Sequence, residues 1–269
     1  MRNASRWPTD GGCVKICLLA SGSKGNSLYV ESGETRMLVD AGLSAREIAR
    51  RLALIGVDAA DLDGILVSHE HADHVRGVGA LARKYRLPVC VSYPTHREVR
   101  EGICGAAVIE FESGYSFGFR DLLIDPFPIV HDACDPVGFT IESREGKVGM
   151  ATDLGTGTRL VADKLKGCRA LVLESNHDEE MLMGGPYPWH LKQRIRSRHG
   201  HLSNSDSAAL LAEVLHPGLE GLFLAHLSEV NNDPAVAREV TEHLLAAQAA
   251  CSPRLIVGDQ YRPSETLTL

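Results

Sequence analysis

Four side chains of types that commonly bind metals lie within six residues, at His69, His71, Asp73 and His74. They directly follow the apolar segment Ile65–Ser68, which we predict to be a buried strand. Two histidines two residues apart at a strand end can bind one metal ion, while Asp73 and His74 reach a second. Imidazole and carboxylate ligands suit Zn²⁺, and also Mn²⁺ or Fe²⁺. The alternative is a solvated loop that is rich in His and Asp by chance.

Three further polar residues close short apolar segments elsewhere in the chain. His131, Asp153 and His226 each stand where a predicted strand ends, which is where a fold can present a side chain to a shared site. Each of them alone is typical of an ordinary surface residue. Together with the histidine cluster, they supply the additional ligands that a site for two divalent metal ions needs.

The elements that must position these residues are mostly short strands with helices between them. Predicted strands cover Val14–Ala20, Leu28–Glu31, Arg36–Asp40, Ile65–Ser68, Val89–Ser92, Ala107–Phe111, Leu122–Val130, Val137–Ile141, Val148–Thr152, Arg169–Leu173, Leu222–Ala225 and Leu255–Val257. Predicted helices run from the capping box Ser44-x-x-Glu47 to Gly56, over Val75–Tyr85 and Asn204–Leu215, and over Pro234–Gln248 with Asp233 as N-cap. Strands in runs with helices interspersed favour an α+β fold of packed sheets covered by helices. We expect one domain over residues 13–269 and a loose N-terminal extension over residues 1–12.

The composition is that of an ordinary soluble globular protein, with 44% hydrophobic and 23% charged residues. The net charge of −7 argues against a basic tail wrapped on nucleic acid, but a local basic patch remains compatible with it. The seven cysteines form no C-x-x-C pair, which predicts reduced, mostly buried thiols; Cys13 and Cys17 lack the second pair of a structural zinc site. No segment approaches the ~20 apolar residues of a membrane span, so we expect a cytoplasmic protein without membrane contact.

From about residue 14 to its end, the chain resembles the metallo-β-lactamase superfamily. The resemblance is carried by Asp40 in Leu38-Val39-Asp40-Ala41-Gly42, by the histidine cluster, and by His131, Asp153 and His226. It implies a four-layer αββα sandwich. The ligand sets that it implies are His69, His71, His131 and Asp153 for one metal, and Asp73, His74, Asp153 and His226 for the other. Asp153 would bridge the two metals, and Asp40 would orient a ligand through hydrogen bonds.

Two metals about 3.5–4 Å apart lower the pKa of a bridging water toward ~7, so hydroxide is available at neutral pH. We therefore expect a dinuclear hydrolase, and count Asp73 with the catalytic residues. The leaving group still needs a proton donor close to the metals. His201 in Gly200-His201-Leu202-Ser203-Asn204 is the candidate, because nuclease and phosphodiesterase members of the superfamily have a His in a similar setting. The alternative is that His201 helps to cap the helix that begins at Asn204.

Four longer motifs are similar to the small bacterial YycJ-type branch of the superfamily, whose members are proposed DNA 5′→3′ exonucleases. The motifs are Ala20–Ser27, His131–Gly138, Glu174–Asp178 and Gly200–Asn204. The resemblance implies DNA, or another phosphodiester, as the substrate. Two alternatives stay open. One is a hydrolase of a small cyclic phosphodiester, thioester or lactone, and the other is a metal-stabilised regulatory protein without turnover.

The basic segment Trp189–His199 precedes His201 and could bind phosphates in an otherwise acidic protein. The expected substrate contacts are His177, Lys192, Arg194, Arg198, Ser203 and Asn204. Tyr187 and Trp189 could stack on a base. The alternative for the basic segment is a solvated helix face with a buried aromatic residue. The sequence does not predict an oligomeric state.

Overall fold

The computed structural model describes residues 13–269, so the expected loose extension at residues 1–12 lies outside the described residues. The strands of the described part are β1 (Val14–Ala20), β2 (Ser27–Ser32), β3 (Thr35–Val39), β4 (Gly64–Leu66), β5 (Val89–Ser92), β6 (Val108–Phe111), β7 (Phe117–Phe119), β8 (Leu122–Pro128), β9 (Val137–Ser143), β10 (Gly146–Ala151), β11 (Ala170–Glu174), β12 (Gly221–Ala225), β13 (Arg254–Val257) and β14 (Leu267–Thr268). The helices are α1 (Ala45–Leu54), α2 (Ala72–Val75), α3 (Val78–Tyr85), α4 (Tyr93–Val99), α5 (Arg159–Leu165), α6 (Glu179–Gly184), α7 (Trp189–Ile195), α8 (Asn204–Val214) and α9 (Pro234–Ala246).

The strands form two seven-stranded sheets, each with an antiparallel and a parallel part. The first has the order β14-β1-β2-β3-β4-β5-β6, and the second has the order β13-β12-β11-β10-β9-β8-β7. Pairing is antiparallel from β14 to β3 and from β7 to β10, and parallel from β3 to β6 and from β10 to β13. The carboxyl ends of the parallel strands within each sheet therefore meet at one edge.

Three buried clusters define the layers. The central cluster contains residues of both sheets, such as Ile16 and Val30 from the first and Phe139 and Phe223 from the second. A second cluster packs α1 and α3 on the outer face of the first sheet, and a third packs α5 and α8 on the outer face of the second. This arrangement confirms the predicted α+β class and the four-layer αββα sandwich.

The helix signals in the sequence are confirmed at two N-termini. Ser44 Oγ accepts a hydrogen bond from the Glu47 amide at the start of α1, and Asp233 caps α9 with Pro234 at its first position. The predicted helix over Val75–Tyr85 is confirmed for Val78–Tyr85, which is α3, but the prediction is wrong at its start, because Val75 belongs to the separate helix α2 on the other side of Gly77. A Cβ at Gly77 would lie 2.1 Å from the Leu43 carbonyl oxygen, so the chain there requires glycine.

Helices α4, α5 and α6 were not predicted. Each has only six or seven residues, which is too few turns for a 3.6-residue periodicity to stand out. All seven cysteines are unpaired, but Cys104 and Cys134 are exposed, so the prediction of buried thiols is wrong for these two. Within residues 13–269, no helix has both the length and the apolar character needed to cross a bilayer.

Candidate metal centre

Strand ends from both sheets deliver the candidate ligands. Asp40 follows β3, His69 follows β4, Asp153 follows β10 and His226 follows β12. Asp40, Asp153 and His226 have φ angles of 63°, 58° and 56°, which is the left-handed region. A left-handed residue of a type other than glycine is uncommon, costs about 1–3 kcal/mol and concentrates at functional sites. The backbone thus turns sharply at three strand ends that meet in one place.

Six of the seven predicted ligands form two donor groups, which we call the first and the second, and each donor group contains residues of one predicted set only. Donor atoms of His69, His71 and His131 lie within 4.8 Å of one another, and so do those of Asp73, His74 and His226. Asp153 belongs to two further combinations, one with His69 and His74 and the other with Glu174, His201 and His226. The structure therefore brings all seven predicted ligands together.

Asp153 contacts histidines of both donor groups through its carboxylate oxygens. Its Oδ1 is 3.9 Å from His131 Nε2 and 3.4 Å from His226 Nε2, and its Oδ2 is 3.2 Å from His74 Nε2. His226 Nε2 and Asp153 Oδ2 are buried and make no hydrogen bond of acceptable geometry. Orphaned buried polar atoms of this kind are expected where a cation belongs.

The electrostatics of the cluster also fit a bound cation. Burial lowers the pKa of His226, but the carboxylates of Asp153, Asp73 and Glu174 raise it by more, to about 10. Burial raises the pKa of Asp153, but the neighbouring His226 and His74 hold it well below its usual value. Buried carboxylates that stay ionised require positive charge nearby, and divalent cations held by His and Asp would supply it.

Hydrogen bonds to one ring nitrogen leave the other free on several candidate ligands. His74 Nδ1 is 2.7 Å from Asp40 Oδ2, and His131 Nδ1 is 3.2 Å from the Gly200 carbonyl oxygen. The Asp40 carboxylate is fully buried and also accepts from the amide and hydroxyl of Ser68. With Nδ1 donating, Nε2 of each ring remains available to a metal.

Asn26 is a site residue that the sequence reasoning missed. Its amide nitrogen donates to Asp73 Oδ2 (3.2 Å), and its Oδ1 accepts from the Gly22 amide. Its backbone amide donates to the Asp73 carbonyl oxygen, and its own carbonyl oxygen accepts from the Gly42 amide. A Cβ on Gly42 would lie 1.6 Å from the Asp73 carbonyl oxygen. The glycine-rich loop between β1 and β2 therefore positions Asp73, a role that no local pattern indicates.

Glu174 is the second missed residue, although it stands in one of the motifs that carry the resemblance. It is fully buried at the end of β11. Its Oε1 lies 2.7 Å from His201 Nδ1 and 3.1 Å from His226 Nδ1, and its Oε2 accepts from the Leu154 and Leu202 amides. Burial raises its pKa, but His201 and His226 lower it to about 2, so it stays ionised.

His201 lies beside the candidate ligands and is partly exposed. Its Nδ1 is 3.8 Å from Asp153 Oδ1, and its hydrogen bond to Glu174 leaves Nε2 to act as a donor. The N-cap of α8 is Ser203, whose hydroxyl accepts from the Asp206 amide. The alternative of His201 as a helix cap is therefore wrong.

Three of the six expected substrate contacts, Ser203, Asn204 and Lys192, use their side chains in hydrogen bonds within the protein. Ser203 caps α8, and Asn204 exchanges hydrogen bonds with Asn232 and accepts one from Ser175. His177 is buried and pairs through its backbone with Ser203, while its Nδ1 has no partner. The hydrogen bonds of Ser203 and Asn204 stabilise the junction of β11 and α8, and they correct the expectation that these two side chains bind substrate directly. A substrate contact by His177 stays a prediction.

The basic segment is likewise only partly available to a ligand. The Lys192 ammonium is buried and donates to the Met183 and Gly185 carbonyl oxygens, so it holds α7 against the α6 end. Arg194 is exposed and forms an ion pair with Asp132. Arg198 is exposed as well. Of the three basic residues expected to bind phosphate, Arg194 and Arg198 are therefore exposed and Lys192 is not.

The fold and the ligand cluster agree with a comparison of the chain with known protein families. Residues 35–221 match the family model described as the beta-lactamase superfamily domain. The match covers more than half of the chain, and the protein therefore belongs to this superfamily of metallo-hydrolases. The crystal structure of the metallo-beta-lactamase fold protein YhfI from Bacillus subtilis has the same fold. The superposition covers 96% of this chain and 100% of YhfI, with a TM-score of 0.73 and 16% sequence identity.

Two curated relatives are similar over most of their length. The chain is 39% identical over 236 residues to exodeoxyribonuclease YycJ of Bacillus anthracis, covering 86% of this chain and 89% of that protein. It is 37% identical over 257 residues to exodeoxyribonuclease WalJ of Streptococcus pneumoniae, covering 94% of both. The chain belongs to the YycJ-type branch that its motifs indicated.

Proposed function

We propose that the protein is a metal-dependent exodeoxyribonuclease that removes nucleotides from the 5′ end of DNA. One observation carries the proposal: Nδ1 of the partly exposed His201 lies 3.8 Å from Asp153 Oδ1, and Asp153 contacts histidines of both donor groups. A proton donor beside a pair of cation sites is what phosphodiester hydrolysis requires. The names of the curated relatives supply the substrate class.

Two divalent cations, Zn²⁺ or alternatively Mn²⁺ or Fe²⁺, would be held by the two donor groups. When bound, they would supply a water of lowered pKa and positive charge for the phosphate oxygens. Asp153 would serve both groups, and Asp73 would serve the group that contains His74 and His226. Asp40 and Asn26 would keep the side chains of His74 and Asp73 in place.

We assign proton donation in the reaction to His201, and the orientation of its ring to Glu174. His201 Nε2 donates a proton to the leaving oxygen as the phosphorus–oxygen bond breaks. The attacking water releases one proton to solvent, its oxygen forms the new bond to phosphorus, and His201 regains a proton from solvent. The ionised Glu174 carboxylate accepts the Nδ1 hydrogen of His201, which holds the ring with Nε2 as its free donor. The same carboxylate orients His226.

The test is a nuclease assay on protein purified without added metal. Elemental analysis should give up to two divalent ions per chain, and 5′-labelled DNA should be degraded to mononucleotides. A chelator should abolish the activity, and adding back Zn²⁺ or Mn²⁺ should restore it. DNA degradation that survives complete removal of metal would contradict the proposal, and so would an intact DNA substrate in the presence of two bound ions.

A further inference from the structure

A cavity of about 230 Å³ lies directly beside His201 and is distinct from the donor groups. One part of its lining is apolar and comes from α7 and the residues before it: Tyr187, Leu191 and Ile195. Leu191 and Ile195 are four residues apart and therefore lie on one face of the helix. Apolar walls with a few polar groups are typical of sites that bind small organic groups.

Part of the polar lining comes from loops after strands of both sheets. Ser23 follows β1, Asn176 follows β11 and Ser228 follows β12. Asn176 is held by a hydrogen bond from its amide nitrogen to the His226 carbonyl oxygen (2.8 Å). The cavity thus has an apolar wall that suits a flat ring and a polar wall that suits hydroxyl and amide groups.

The volume limits what the cavity can hold. At ~30 Å³ per water, it has room for roughly eight water molecules, which is about the size of one pyrimidine base. Two stacked nucleotides, or a base pair, need more space than this. The ion pair between Arg194 and Asp132 belongs to the same lining, and Asp132 Oδ1 lies 3.3 Å from His131 Nε2. The cavity therefore adjoins both the proton donor and the first donor group.

We propose that this cavity binds the base of the terminal nucleotide of the DNA strand, with the base stacked on Tyr187. The inference rests on the proposed function, because the cavity lies on the side of His201, which protonates the leaving oxygen. The nucleotide next to His201 is then the leaving group. Its phosphorus–O3′ bond breaks, O3′ receives the proton of His201, and the water oxygen stays on the phosphate of the remaining strand.

The test is a comparison of three 5′-phosphorylated single-stranded oligonucleotides. The first is intact, the second has an abasic residue at its 5′ end, and the third has an abasic residue at the third position. Release of the first nucleotide is measured by chromatography with wild-type protein, Tyr187→Ala and Tyr187→Phe. Tyr115→Ala is the matched control, because Tyr115 is an exposed tyrosine outside the lining of the cavity.

Loss of the terminal base should lower kcat/KM of the wild type about tenfold, as expected for one base stacked on an aromatic ring. Tyr187→Ala should lower kcat/KM on the intact strand by a similar factor and show no further loss on the terminal abasic strand. Tyr187→Phe and Tyr115→Ala should keep the wild-type dependence on the terminal base.

Two results would overturn the assignment of the cavity. One is equal cleavage of the intact and terminal abasic strands by the wild type, and the other is an equal loss for the abasic strand in wild type and Tyr187→Ala. A wild-type protein that contains metal and cleaves none of the three strands would instead refute the proposed function, and the cavity assignment with it. That result is visible before any variant is made.

Discussion

Four of the five histidines among the candidate ligands share one arrangement at the residue scale, and His71 is the exception, since its Nδ1 lies 3.1 Å from His69 Nε2. In each of His69, His74, His131 and His226, Nδ1 lies within hydrogen-bond distance of a protein oxygen. The partner fixes the ring, so that Nε2 is left for a cation. Two consequences can be measured, one for the proton donor and one for a residue that only orients a ligand.

His201→Ala should lower kcat for DNA by about 100-fold or more, since general acid catalysis typically contributes factors of this size. Metal content should stay the same, because His201 is outside the predicted ligand sets and His226 keeps its own hydrogen bond to Glu174. The measurement combines steady-state kinetics with elemental analysis. Loss of both metals in this variant would show that His201 is a ligand rather than a donor.

Asp40→Asn should weaken metal binding 10- to 100-fold, as is usual when the hydrogen-bond partner of a ligand is changed. Asn keeps the shape of the side chain but removes the charge that faces His74 Nδ1 at 2.7 Å. Affinity is measured by competition with a chromogenic chelator. An affinity equal to that of the wild type would remove Asp40 from the site.

At the scale of elements, short loops and helix ends hold the strand termini in position. The loop between β1 and β2 contacts Asp73 through Asn26, and the loop after β3 passes so close to Asp73 that only glycine fits at position 42. Helix α1 lies on the outer face of the first sheet, where the buried Arg51 anchors it by donating to the Leu19 and Gln260 carbonyl oxygens.

Gly42→Ala should destabilise the protein by about 1–3 kcal/mol, the usual cost of forcing extra atoms into a packed region. It should also weaken metal binding, because the added methyl group displaces the Asp73 backbone. Urea unfolding and metal titration measure the two effects. Gly118→Ala is the control, since a Cβ there would meet no atom within 4 Å; equal effects of both substitutions would contradict the steric explanation.

The pKa of Glu47 is lowered to about 2, chiefly by its hydrogen bonds from Arg50 and by Arg51. A depressed folded-state pKa stabilises the protein above the unfolded pKa of ~4.3, and this stabilisation is lost as the pH falls toward 2. Glu47→Gln should therefore lower the free energy of unfolding at pH 7 by at most about 1 kcal/mol, with a smaller difference in acid. Unfolding by urea at several pH values measures it, with Glu239→Gln on α9 as the exposed control; a difference that grows in acid would contradict this sign.

At the scale of the whole molecule, the two sheets share one central core, and the metal centre lies where their strand ends converge. Each donor group draws on both sheets: His69 and His74 follow the first sheet's β4, whereas His131, Asp153 and His226 follow strands of the second. We propose that residues 13–269 form one domain, because neither sheet can bury its inner face without the other.

Bound metal should therefore stabilise the whole fold. At a free metal concentration 100 times the dissociation constant, the free energy of unfolding should rise by about 2.7 kcal/mol per site. Urea unfolding followed by circular dichroism, with chelator or with metal, measures the shift, and Asp153→Ala should lack it. Two separate transitions, only one of which shifts with metal, would contradict the single domain.

The ligand types could be predicted from the sequence because the information is local. Four of the seven lie within one hexapeptide, and His131, Asp153 and His226 each end an apolar run. The alternation of such runs also predicted the sheets, since burial of a strand depends mainly on its own residues. The short helices α4, α5 and α6 escaped prediction because their segments are shorter than two turns.

Contacts between residues far apart in the chain were decided only by the tertiary structure. Glu174 reaches His201 and His226, which are 27 and 52 residues away, and Asn26 reaches Asp73 over 47 residues. Lys192 was expected to bind phosphate, but its ammonium group is buried and donates to backbone carbonyl oxygens instead. Local periodicity determines which face of an element is apolar, but the packing of the two sheets determines which polar side chains meet at their ends.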